Sequence, residues 1–383
     1  MISHKTHHGQ LLNLNWSSAL SISTRVLVGK GSLAKLPDLL SQINAGKKVL
    51  LLKQPNLFEQ KVKQLKVLFD DKAIALTILE LPDGEACKSV EQLSKIWNTL
   101  HECKFSRQDT IVALGGGTVT DIAGFAASTY MRGINYIAVP TTLLAQIDAA
   151  IGGKNGVNFH TGKNLIGNYY FSQAVIVDTD TLATLPGKQF ISGLAEVVKT
   201  ALLEKTIAQE SEYVPGPKSL LNILQNSIAD LNWDNEMLPG IIIACIKMKL
   251  AVVAKDPQES GLRRCLNLGH TLGHALESIT DFKISHGEGV AIGMAFAFQM
   301  AVSKGQIGEA EKSIAIKLIE ATGLPVKLPE GISKAALLES LFRDKKREGE
   351  AIRMILPKDV LGSVEYKEAI KREEIEKVLF EFN

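Results

Sequence analysis

The sequence predicts two domains: an α/β N-terminal nucleotide-binding domain built on a parallel, Rossmann-like sheet, and an all-α C-terminal domain. Three observations carry this. The first half alternates short β-rich runs with helical patterns, the rhythm of βαβ units. A glycine triplet sits where one of those runs passes into a helix, in "DTIVALGGGTVTDIAG". After "TLATLPGKQF" β-like runs become rare and long amphipathic or wholly apolar helical patterns take over, which places the boundary near residue 185 and the domains at 1–185 and 186–383. A chain of 383 residues exceeds what one core usually serves.

In order, "KKVLLLK" and "AIALTILEL" read as strands, "VEQLSKIWNTLHE" as a helix, and "DTIVALGGG", "YIAVPTT" and "AVIVDTD" as further strands. Helical periodicity follows around 190–204, 216–231, 237–255, 264–278, 287–304 and 308–322, and "EYVPGPKS" is the clearest loop among them. No internal repeat or low-complexity segment is evident.

Composition narrows the function classes. Lys+Arg 43 against Asp+Glu 41 gives a formal charge of +2, with no dense basic run, so nothing favours a nucleic-acid partner. Four scattered cysteines without a C-x-x-C suit a reducing compartment. The N-terminus lacks an apolar signal core, and the longest apolar stretches, "IIIACIKMKLAVVA" and "GVAIGMAFAFQMAV", are short or interrupted, so no membrane partner is expected and the location reads as cytoplasmic. His4, His7 and His8 read as a frayed tail.

Three clusters carry chemistry. In the glycine loop, Gly115, Gly116 and Gly117 would let backbone N–H groups approach a pyrophosphate at a helix N-terminus, although the pattern is not G-x-G-x-x-G and a plain tight turn would look similar. In "NLGHTLGHALESITDFKISHGEG", His270 and His274 are four apart and share a helical face, with His286 just before the next helix. One such histidine is usually a hydrogen-bonded core residue, but three with a nearby acid point to a metal. Imidazole plus carboxylate without thiolate suits a catalytic Zn²⁺ with an open position. "GLAEVVKT" offers Glu196 and, three residues on, Lys199, on an apolar helix where each needs a metal, a substrate or the other. The third cluster, the Gly-rich loop "DAAIGGKNGVNFHTGKNLIG", carries Asp148, Lys154, Lys163 and Asn164, and lysines beside glycines suit phosphate.

The motifs "LGGGTVTDIAGFAASTYMRG", "VPTTLLAQIDAAIGGKNGVN", "GKNLIG", "GLAEVVK", "NLGHTLGHALE", "HGEGVAIGM" and "RDKK" stand in the order and spacing of 3-dehydroquinate synthase, and the chain resembles that family of sugar phosphate cyclases over roughly residues 20–375. The resemblance implies conversion of 3-deoxy-D-arabino-heptulosonate 7-phosphate to 3-dehydroquinate with bound NAD and Zn²⁺ or Co²⁺, by oxidation, phosphate elimination, reduction and aldol closure, in a cytoplasmic homodimer. It further implies Glu196, His270 and His286 as metal ligands, with His274 contacting substrate. Asp148, Lys199 and Asn267 would contact the substrate near the metal, and Lys249 and Arg263 would hold its carboxylate. Lys154, Asn164 and Lys345, with Arg132 from a second subunit, would hold phosphate, with Lys346 the alternative to Lys345. For NAD the matching positions are Glu85, Lys88, Gly115, Gly116, Asp121, Thr141, Thr142 and Lys163.

The sequence departs from the family pattern at Gln54, where an acid usually faces the adenosine ribose, at Cys87, where an aromatic is common, and at Gln189, where Glu is usual. Ala149 and Ala150 replace frequent serines. The first three bear on NAD affinity rather than on the reaction. The rivals are cyclases of sedoheptulose or glucose phosphate, which need no carboxylate site; metal-dependent polyol or alcohol dehydrogenases, which need no phosphate set; and a non-catalytic paralogue.

Overall fold

The computed structural model describes residues 23–55, 57–160, 162–343, 351–366 and 368–383. The chain forms two compact units, Met1–Leu185 and Pro186–Asn383.

The first unit runs β1 (Arg25–Gly29), α1 (Leu36–Gln42), β2 (Lys48–Lys53), α2 (Glu59–Asp70), β3 (Ala75–Glu80), α3 (Val90–Glu102), β4 (Thr110–Gly115), α4 (Gly117–Thr129), β5 (Asn135–Pro140), β6 (Lys154–Phe159), β7 (Gly162–Tyr169) and β8 (Ala174–Asp178). Six strands make one parallel sheet in the order β1-β8-β5-β4-β2-β3. Runs such as "VLLL" in β2 and "IVAL" in β4 are wholly apolar because helices cover both faces of a parallel sheet. On one face Leu51, Val112, Leu114, Ile137 and Ile176 pack against Leu36, Leu40, Leu65 and Phe69. In α3, Leu93, Ile96 and Leu100 recur at helical spacing and are buried, and the Ser89 hydroxyl accepts from the Gln92 N–H to start the helix.

From β2 the chain moves out to β3 at the sheet edge, then returns to β4 and proceeds the other way to β5 and β8. The strand order therefore reverses between β2 and β4, where open α/β sheets form their ligand crevice outside the carboxyl ends. Gln54 and the glycine loop both lie at that point. The loop "DAAIGGKNGVNFHTGKNLIG" is more structured than its glycines suggest: after one wide turn, in which the Ala150 N–H reaches the Ala145 carbonyl, β6 and β7 pair as an antiparallel ribbon.

The second unit comprises α5 (Gly187–Ala201), α6 (Glu204–Glu210), α7 (Leu220–Ser227), α8 (Leu238–Lys255), α9 (His270–Ile279), α10 (His286–Ser303), α11 (Glu309–Glu320), α12 (Lys334–Arg343) and α13 (Arg372–Glu381). It is not purely helical: Ala351–Arg353 pairs with Ala369–Lys371, and Leu356–Pro357 with Val364–Glu365, in short antiparallel ribbons. These segments are only two or three residues long, too short to show a period. The helical pattern at 264–278 is also split, because Gly269 adopts φ 80° and separates a 3-10 segment, Leu262–Asn267, from α9.

α10 is apolar on all sides and buried along most of its length, so it is the core of this unit. Ser285 and Glu288 form a capping box at its start. α9 and α10 touch backbone to backbone. A Cβ on Gly273 would lie 2.9 Å from the Gly289 carbonyl, and one on Gly293 would lie 1.9 Å from the Gly269 carbonyl oxygen. Gly287 meets Ser192 of α5 in the same way, at 2.4 Å. Gly293→Ala should therefore overpack this seam and lower stability by about 1–3 kcal/mol, whereas Gly187→Ala, with open space around its Cβ, should be near neutral; thermal unfolding of the two variants checks the difference.

Candidate functional site

The second unit gathers its polar residues where those glycines bring three helices together. Glu196 and Lys199 lie on the buried face of α5, His270 opens α9 and His286 opens α10. His286 Nε2 is 3.4 Å and His270 Nε2 3.6 Å from Glu196 Oε1, and Lys199 Nζ pairs with Glu196 Oε2. One donor atom from each of Glu196, His270 and His286 falls within a 4.8 Å group. The Nδ1 of His270 faces the Leu268 carbonyl at 3.2 Å, so its Nε2 is the nitrogen left for the group. Two imidazole nitrogens and a carboxylate oxygen suit a borderline divalent cation that keeps positions for other ligands. His274 lies one turn on from His270, with ring centroids 5.2 Å apart, and groups instead with Glu277 and His286.

Electrostatics separates the two imidazoles. Burial, and then the Lys199 ammonium, push His270 down to about 3. Burial also opposes charge on His286, but hydrogen bonds and attraction from Glu196 and Glu277 outweigh it and raise His286 to about 9. That shift favours a proton on both ring nitrogens of His286, Nδ1 toward Glu277 and Nε2 toward Glu196.

Of the residues the resemblance would assign to the substrate, Lys249 lies on α8, and Arg263 and Asn267 lie in the segment between α8 and α9. A tight loop is organised by the Asp256 carboxylate, which accepts from Ser260, Gly261 and Arg263 N–H groups. Burial works against that charge, yet the bonds hold Asp256 below the ordinary carboxylate range. Arg263 is buried with Nη1 donating to the Pro257 carbonyl at 2.6 Å, and Asn267 Nδ2 donates to Glu259 Oε1 at 2.6 Å. Cys265 lies within the fields of Lys199 and Lys249; burial dominates and pushes its thiol up to about 12, which makes it inert as a nucleophile. Neither Asp256 nor Glu259 stands out in the sequence, because acids in a polar loop look like solvated ones.

In the first unit a second polar network lies beside the glycine loop. Gly115 has no room for a side chain, its Cβ falling 2.7 Å from Val119, and a Cβ on Gly116 would crowd Thr142 at 3.2 Å. The Thr141 N–H donates to the Gly115 carbonyl at 2.9 Å, so the Thr141–Thr142 turn stands directly against the loop that opens α4. That is the cradle a pyrophosphate needs: bare backbone at a helix N-terminus. Lys88, buried, bonds Asp121 Oδ2 at 2.5 Å and also the Asn164 side-chain oxygen. Burial raises the Asp121 carboxyl, with Lys88 opposing. Asn158, unremarked in the sequence, ties the set together: Nδ2 donates to Glu85 at 2.7 Å, its N–H to the Lys88 carbonyl at 2.8 Å, and Oδ1 accepts from the Asn164 N–H at 3.0 Å. Lys163 reaches Glu85 at 3.4 Å.

The ribbon does not bring Lys154 and Asn164 side by side. Lys154 pairs with Tyr169, and Asn164 lies five residues along β7 from there, ~16 Å at the strand rise. Asn164 joins the Lys88 network instead. Asp148 lies in the wide turn before β6, and Arg132 follows Met131 in a bend where both have positive φ. At the crevice, Gln54 follows Lys53, whose buried ammonium pairs with Glu80 at 2.6 Å. Cys87 is buried, its thiol pushed up to about 12 chiefly by burial. Gln189 lies in the first turn of α5. Lys345 and Lys346, and the leader histidines, lie outside the described residues.

Comparison with known proteins decides the family. The 3-dehydroquinate synthase N-terminal family matches residues 78–192, and the 3-dehydroquinate synthase C-terminal family matches residues 193–347. The chain belongs to the 3-dehydroquinate synthase family. A 3-dehydroquinate synthase from Synechococcus sp. is 38% identical over 361 residues, covering 92% of this chain and 94% of that one. Among solved structures, 2-deoxy-scyllo-inosose synthase complexed with carbaglucose-6-phosphate, NAD⁺ and Co²⁺ superposes with a TM-score of 0.82 at 25% identity, covering 97% of this chain and 99% of that one. The 2-epi-5-epi-valiolone synthase of Streptomyces hygroscopicus, with NAD⁺ and Zn²⁺ bound, gives 0.80 at 27% identity, covering 94% and 96%. Among the described residues of this 3-dehydroquinate synthase family member, no helix is long and apolar enough to cross a membrane.

A divalent cation binding Nε2 of His286 must displace the proton on that nitrogen, which faces Glu196. His270 is already neutral. Uptake of Zn²⁺ at pH 7 should therefore release close to one proton, and apparent affinity should fall about tenfold per pH unit below the His286 value. Calorimetry in buffers of different ionisation enthalpy checks this, and uptake without proton release would contradict the assignment.

Proposed function

We propose that this chain converts 3-deoxy-D-arabino-heptulosonate 7-phosphate to 3-dehydroquinate and inorganic phosphate, as a phosphate-eliminating lyase that acts as a homodimer in the cytoplasm. The observation that carries the reading is the Glu196, His270 and His286 group beside Lys199, in a unit that also buries Arg263. Family membership supports the substrate, and the two cyclase structures, carrying NAD⁺ with Co²⁺ or Zn²⁺, support the cofactors. When bound, NAD supplies a reversible hydride acceptor and the divalent cation a Lewis acid for a hydroxyl and the ketone formed from it.

The chain's own residues do the rest. Glu196, His270 and His286 hold the cation. Lys199, one short ion pair from Glu196, stands where it can hold or move a proton on a ligated hydroxyl. Arg263, its backbone fixed by Asp256 and its guanidinium by Pro257, presents a rigid fork suited to the substrate carboxylate, with Lys249 as a second cation. Asn267, held by Glu259, and His274 contact substrate hydroxyls. Gly115, Gly116, Thr141 and Thr142 cradle the pyrophosphate of NAD, and Glu85, Lys88, Asp121 and Lys163 serve its remaining polar groups. Asp148 contacts substrate, while Lys154 and Lys345, with Arg132 of a second copy, hold phosphate; Asn164, expected in that set, bonds Lys88 on the glycine-loop side instead. A dehydrogenase of a neutral polyol would have no use for a carboxylate site at Arg263 and Lys249 or for a phosphate set.

Purified protein given catalytic NAD⁺, a divalent cation and the heptulosonate phosphate should release stoichiometric phosphate with no progressive rise in reduced-nicotinamide absorbance. Steady NADH accumulation without phosphate would favour a dehydrogenase, and phosphate from sedoheptulose phosphate alone would favour a sister cyclase. Arg263→Ala should lower transition-state stabilisation by about 2 to 5 kcal/mol, seen in kcat/KM.

A Gln54→Asp variant should bind NAD⁺ more tightly, by ~1 kcal/mol, because a carboxylate makes charge-assisted bonds to ribose hydroxyls that an amide cannot. Fluorescence titration checks it; equal or weaker binding would mean that another group already serves the ribose.

A further inference from the structure

Glu277 is used by nothing in that reaction, yet it is a buried acid, 5% exposed, in direct contact with a residue assigned as a ligand. Its Oε1 lies 2.9 Å from His286 Nδ1, while His286 Nε2 lies 3.4 Å from Glu196 Oε1 on the other side of the ring. The backbone fixes this meeting. Glu277 is seven residues after His270 on α9, two turns along the same face. The Gly273–Gly289 contact lays the first turn of α10 against α9, which holds the backbone of His286 within reach of Glu277.

We infer that Glu277 is a positioning residue: it accepts a hydrogen bond from the Nδ1–H of His286, fixes the ring orientation, and so turns Nε2 toward the Glu196 carboxylate and the cation that would bind there. Leu268 performs the same service for His270 through its carbonyl, so both imidazoles are oriented by a group behind the ring. The two supports differ in kind. The carbonyl is neutral, while the Glu277 carboxylate also places a negative charge close to the cation site. This inference rests on the reading of Glu196, His270 and His286 as a metal site. It assigns no metal contact to Glu277, although Glu277, His274 and His286 also bring donor atoms within a 4.8 Å group.

The test measures Zn²⁺ and Co²⁺ affinity by competition with a chromophoric chelator, together with metal content per chain and the thermal midpoint of the metal-free protein. Glu277→Gln keeps the shape and an acceptor oxygen but loses the charge, and should weaken affinity roughly 10-fold; Glu277→Ala should weaken it towards 100-fold, and Glu277→Asp should recover part of the loss. The visible spectrum of the Co²⁺ form should shift in the Gln variant while metal content stays at one per chain. Affinity and spectrum unchanged in both the Gln and Ala variants would overturn the inference. So would two cations per chain in the parent with one lost in the Gln variant, since Glu277 would then be a ligand. A weakened affinity matched by an equally lowered metal-free midpoint would also overturn it, as a purely structural effect. If Ala fails to fold, the isosteric Gln variant decides. Failure of the parent itself to take up either metal would count against the metal site, not against Glu277 alone.

Discussion

A carboxylate shut away from water must be answered by positive charge, and Glu196 sets the arrangement of the second unit for that reason. It sits on α5 with no exposed surface, and an isolated charge there would cost several kcal/mol. Lys199 comes from one turn along the same helix, and two imidazoles come from the first residues of two other helices. The chemistry proposed for the site and the electrostatic need of one buried acid are therefore met by the same side chains.

Helix termini can be concentrated in this way only if the helices approach more closely than side chains usually allow. Ordinary helix axes lie 8–10 Å apart because side chains separate them. Here Gly269, Gly273, Gly289 and Gly293 remove that separation between α9 and α10, and Gly287 does so against α5. The glycines beside the histidines are thus as much a part of the site as the ligands. They contribute distance, where the histidines contribute electron pairs. The first unit follows a related logic, since Gly115 and Gly116 clear space at the end of β4 so that backbone rather than side chain faces a ligand.

The long periodic elements were legible because their period reports burial directly. β2, β4, β5 and β8 show as unbroken apolar runs, and α8 and α10 as apolar helices, for which no partner is needed to read the pattern. The ribbon of β6 and β7 was not, because glycine and asparagine interrupt its alternation and most of β7 is exposed. The same holds for the two short pairs near the C-terminus. Among site residues, the histidines and Glu196 stood out as polar groups in apolar surroundings. Asn158, Asp256 and Glu259 did not, since their importance lies in which backbone groups and side chains they meet across a fold.

By itself, then, the sequence determined the fold class, the family and the residue types available to a metal, a nucleotide and an anion, because local period and motif spacing are properties of the chain alone. Tertiary structure decided which of those residues act together. It set Asn164 against Lys88 and away from Lys154, put Glu288 into a helix cap, and brought Glu277 to the Nδ1 of His286. The physical reason is that charges and hydrogen bonds act over a few ångströms. Residues 74 apart, such as Glu196 and His270, acquire a shared chemistry only when glycine contacts and helix packing have brought them within that range.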